Sequence, residues 1–86
     1  MKLWYLEPLE LSPSQNINPW KPWYDKAFGF VVRAETEIEA RTLAAHDAGD
    51  EADVDFNPWL DSNYSSCIEL TNEGASGVIL RDFMSA

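Results

Sequence analysis

Asp53, Asp55, Asn57 and Asp61 stand at the first, third, fifth and ninth places of a twelve-residue calcium loop, the spacing at which oxygen ligands converge on one cation. The pattern then fails. Pro58 takes the sixth place, where the chain needs a glycine of positive φ, and Tyr64 takes the twelfth, where a bidentate glutamate belongs. Nucleophilic catalysis of the Ser-His-Asp or Cys-His kind needs a histidine. His46 is the only one, and it falls in the last turn of an expected helix, where a positive charge is favoured. Cys67 has no basic neighbour in the sequence to lower its pKa, which fits an inert small hydrophobe. The same two residues fall short of the four ligands of a zinc site, and Gly74 and Gly77 lack the lysine and helix of a phosphate-cradling loop. The expectation is a chain with no metal, no cofactor and no catalytic residue.

What is left is charge and aromatic surface. Fifteen acids face six bases in 86 residues, a formal net charge of −9. Asp47, Asp50, Glu51, Asp53 and Asp55 fall within nine residues with no base between them. Such a surface repels nucleic acid and anionic lipid, which offer it no cations, and attracts basic partners. Carboxylates on an exposed segment can imitate the phosphates of a nucleic-acid strand, accepting hydrogen bonds from Lys and Arg side chains that hold phosphate. Trp20, Trp23, Tyr24 and Trp59 would supply the apolar anchors that an electrostatic contact lacks. The competing readings are plainer: acidity that only keeps the protein soluble, and tryptophans that form a satellite core beneath a proline-rich loop.

The elements that must position these residues follow from local pattern. The length suits a single small acidic domain over residues 1–86. Residues 2–9 read as a strand, 27–34 as a strand with Phe28, Phe30 and Val32 on one face, 64–70 as a strand, and 78–83 as a strand closing a hairpin across a Gly-containing turn. Residues 10–26 hold Pro13, Pro19 and Pro22 and read as a long loop. Thr36 with Glu39 three places on is a capping-box pattern and starts a helix over about residues 37–47, with Glu37 and Arg41 paired four apart and Gly49 as a stop. Ile38, Leu43 and several alanines are available to lie on a sheet. Asn57-Pro58-Trp59 echoes Asn18-Pro19-Trp20, each placing an indole after a proline turn. The order β-β-α-β-β gives an α+β fold, a mostly antiparallel sheet with one helix packed on one face. The acidic segment, 47–55, comes directly after that helix. No apolar run approaches the length needed to span a bilayer, and the composition suits the cytoplasm of a bacterial host cell.

The stretch Trp23-Tyr24-Asp25-Lys26-Ala27-Phe28-Gly29-Phe30-Val31-Val32-Arg33-Ala34-Glu35-Thr36, with Glu39-Ala40-Arg41, Trp59-Leu60-Asp61, Cys67 and 77–83, resembles a type found among small uncharacterised bacterial and phage proteins. It covers most of the chain and carries no catalytic motif. In size, acidity and lack of chemistry the chain is also similar to phage-encoded anti-CRISPR proteins, several of which occupy nucleic-acid sites on the immune complex. That resemblance implies a partner class, a basic nucleic-acid-binding protein or defence complex, and transfers no residue. The expected function is therefore a non-enzymatic inhibitor that binds such a site through Asp47, Asp50, Glu51, Asp53 and Asp55 with an exposed subset of the aromatics. The alternative is a structural or self-assembling domain, a subunit or homodimer without mimicry.

Overall fold

The computed structural model describes residues 1–12, 18–21, 24–53 and 56–81, the side chain of Asp53 excepted. Strand β1 spans Lys2–Pro8, β2 Phe30–Ala34, helix α1 Glu37–His46 and β3 Ser65–Leu70; two 3-10 turns, Asp50–Asp53 and Pro58–Leu60, lie between α1 and β3. The sheet is antiparallel in the order β2-β1-β3, so the first strand is central. The fold class is thus α+β, with one helix and the order β-β-α-β. The expected closing strand does not form over residues 78–81, which carry no ladder and are exposed; the rest of that expectation, and Trp23 and Asp55 of the expected binding residues, lie outside the described residues.

Register decides which side chains face the helix. Leu6 pairs with Phe30 and Cys67, and Trp4 with Val32 and Glu69, so one face of the sheet presents Trp4, Leu6, Phe30, Val32, Ala34, Ser65 and Cys67. Phe28, expected on this face, precedes β2 and is largely exposed. Among the described residues the fully buried apolar core is small: Leu6, Ala34, Ala40, Ala44 and Trp59.

Thr36 caps α1 as its type predicts, its hydroxyl accepting from the Glu39 amide at 3.2 Å. The Glu39 carboxylate reaches one residue further back than the capping box requires and accepts from the Glu35 amide at 3.1 Å. The expectation that Ile38 and Leu43 pack on the sheet is not met, for both are exposed; the inward residues are Ala40, Arg41 and Ala44. Ala40 and Ala44, four apart, let the helix backbone come close to the sheet. Ile38, two residues from Ala40, points roughly to the opposite side.

Candidate functional site

The two Asn-Pro-Trp copies fold alike. The Asn18 Oδ1 accepts from the Trp20 amide at 2.9 Å and the Asn57 Oδ1 from the Trp59 amide at 3.1 Å, so each asparagine closes a turn over its proline. Both prolines are buried, and the two indoles meet edge to face with ring centroids 4.9 Å apart. Phe30 packs on the other side of Trp59, also at 4.9 Å. Trp59 is fully buried and Trp20 half-buried, so these two tryptophans are core. That corrects the expectation for Trp59 as a partner anchor: an indole enclosed by Trp20 and Phe30 has no surface to offer.

The acidic run divides. Glu51 is fully buried, and its carboxyl group accepts three hydrogen bonds: from the Trp59 indole N–H at 2.7 Å, the Gly49 amide at 3.1 Å and the Ala27 amide at 3.1 Å. The buried indole N–H has to find an acceptor, and Glu51 is the one within reach. Expected to project outward, Glu51 instead joins the segment after α1, the Trp59 turn and the segment leading into β2. Asp50 ties the same loop down, since its amide donates to the Asp25 carbonyl at 2.6 Å and its carboxylate accepts from the Asp25 amide at 3.2 Å. Gly49 permits this approach, because a Cβ there would stand 2.6 Å from the Asp25 carbonyl oxygen. Its role is this close contact; the helix ends at His46 and is capped by Asp47.

Asp47 is exposed, and Tyr24 is fully exposed at 102% beside the pinned Asp25. The structure therefore joins Asp25, the chain neighbour of Tyr24, to Asp50, and withdraws Glu51 and Trp59 into the interior. Among the described residues no ion pair involves Asp47 or Asp50.

Arg41 was visible in the sequence only as a partner of Glu37, at 2.9 Å. It is 93% buried by its 7% exposure, and it also donates to the Trp59 carbonyl at 2.9 Å, the Ser65 hydroxyl at 2.8 Å and the Ser65 carbonyl at 3.0 Å. Its planar fork joins helix, turn and β3 in one network. The helix thus turns its one arginine inward, while Glu35, Glu39 and Asp47 are exposed.

Asn57 and Asp61, the two residues of the metal-loop spacing whose side chains are described, serve the backbone. Asn57 holds the Trp59 amide and donates to the Ala45 carbonyl at 3.3 Å, while Asp61 accepts from the Asn63 amide at 2.8 Å. Among the described residues no three His, Cys, Asp or Glu side chains gather as a metal site, and no helix is long and apolar enough to cross a membrane. Cys67 lies half-buried on the inner face, where burial pushes its thiol pKa up against the lowering influence of Arg41. That favours the unreactive thiol.

Comparison with protein-family models, with curated proteins and with solved structures returned no match. The chemistry of the residues themselves carries the reading that follows.

Proposed function

We propose that this chain is a non-enzymatic inhibitor that binds a basic, nucleic-acid-handling protein in the bacterial cytoplasm, most concretely a defence complex of the kind anti-CRISPR proteins target. One observation carries the proposal: the reciprocal Asp25–Asp50 bonds join the segment that carries the fully exposed Tyr24 to the acidic segment, in which Asp47, three residues before Asp50, is exposed. An exposed aromatic on a segment tied to carboxylates free of ion pairs among the described residues has the make-up of a surface that engages Lys and Arg. Binding needs no chemistry from the chain. The test is affinity capture from a bacterial lysate with the wild-type chain and with the Tyr24→Ala, Asp47→Asn double variant, at low and high salt. A basic nucleic-acid-binding protein should be held by the wild type at low salt, released at high salt and lost with the variant. Its nucleic acid should also compete with this chain. Capture indifferent to salt and to both substitutions would refute the proposal.

A further inference from the structure

Among the described residues no helix or strand covers the face of the sheet turned away from α1, and only Leu80 and Arg81 reach its edge. Its side chains come in rows set by the register: Leu3 beside Arg33 and Leu70, Tyr5 beside Val31 and Ile68, Glu7 beside Ser66. Val31 is 56% exposed, Ile68 55% and Leu3 37%, and the face continues into an open depression of about 570 Å³ lined by Tyr5, Glu7, Phe28, Val31, Leu80 and Arg81. Antiparallel sheets often leave one face to water, but that face is then polar. This one is aliphatic and aromatic at its centre, as an interface is.

Charge selects the occupant. In a chain of net charge −9, Glu35, Glu37, Glu39, Asp47 and Asp50 lie on or beside α1, whereas this face holds Arg33 and Glu7 and has Arg81 at its edge. Two copies can close these faces together and keep their acidic sides apart. The charged residues at the two ends also match. Arg33 stands at the Leu3 end and Glu7 at the other, each two residues, about 7 Å, from the Tyr5 row. A two-fold axis across the strands at the Tyr5 row lays β1 over β1 of a second copy with the ends exchanged. Each Arg33 then comes to the Glu7 end of the other copy, one strand spacing to the side, across a gap of about 10 Å that packed sheets leave for side chains. An axis along the strands would set Glu7 against Glu7.

We infer that the outer sheet face is the interface of a two-fold homodimer, centred on Tyr5, Val31 and Ile68 and oriented by reciprocal Arg33–Glu7 pairs. The inference does not depend on the proposed partner. Sedimentation equilibrium of the full chain over a range of concentrations tests it. The wild type should pass from monomer to dimer and hold the dimer at high salt, where capture of a basic partner fails. Val31→Glu and Ile68→Glu, both at exposed positions, should each weaken the dimer at least about tenfold, with circular dichroism unchanged, while Ile38→Glu on the exposed side of α1 leaves it intact. Glu7→Arg and Arg33→Glu should each weaken it, and the two together should restore it. A wild type that stays monomeric, a Val31→Glu or Ile68→Glu chain that dimerises normally, or a double reversal no stronger than either single change would overturn the inference.

Discussion

On the inner face of the sheet every buried polar side chain among the described residues has a partner, and the few apolar groups are enclosed. On the outer face, residues just as apolar meet solvent. The two faces alternate along the same strands, so propensity cannot distinguish them; the difference comes from what the helix and the Trp59 turn bring to one side only. In so small a core a polar network carries an unusual share of the specificity. Glu51, Arg41 and Ser65 fix the turn, the helix and β3 at positions where a larger protein would use packing alone.

Replacing matched residues on the two sides sharpens this contrast. Trp59→Ala removes the centre of the core and should cost about 3–5 kcal/mol in chemical denaturation, enough to unfold much of so small a domain, whereas Val31→Ala should stay within about 0.5 kcal/mol for the monomer. Glu51→Gln puts an amide N–H where a carboxyl oxygen accepts, and should cost about 2–3 kcal/mol; Asp47→Asn, in the same acidic run, should change stability by no more than about 0.5 kcal/mol. Gly49→Ala should cost about 1–2 kcal/mol through its clash with the Asp25 carbonyl, while Gly77→Ala, with open space around it, should cost almost nothing. The smallest effect concerns Cys67. Its raised thiol pKa means the folded state favours the neutral form, so its contribution is in place below the unfolded thiol pKa of about 8.5 and fades as pH rises through the higher folded value. Denaturation midpoints of the wild type should therefore fall relative to Cys67→Ala across that alkaline window.

How much of this the sequence disclosed depends on the range of each interaction. The Thr36 cap, the Glu37–Arg41 pair and the repeated Asn-Pro-Trp turn are set by neighbours within four residues, and all three were legible. Three strands and the helix followed from pattern. The inward turn of Glu51 was not legible, because it depends on Trp59 and Ala27 arriving from distant parts of the chain; a run of acids looks the same whether one member is buried or none is. One hint existed: a tryptophan buried in the core needs an acceptor for its N–H, and the nearest uncommitted carboxyl groups lay in that run. Gly49 looked like a helix stop because its contact with Asp25 is tertiary. Ile38 misled by composition, being the most apolar residue of α1 and on its outer side, where alanines four apart decided the packing.

Carbodiimide labelling of the folded chain with an amine, located by peptide mass spectrometry, tests most directly whether the acidic segment is divided between interior and surface. Asp47, Glu35 and Glu39 should label readily and Glu51 should stay unmodified until denaturant is added. Labelling of Glu51 at the rate of Asp47 under native conditions would contradict the division, and with it the account of what holds this fold together.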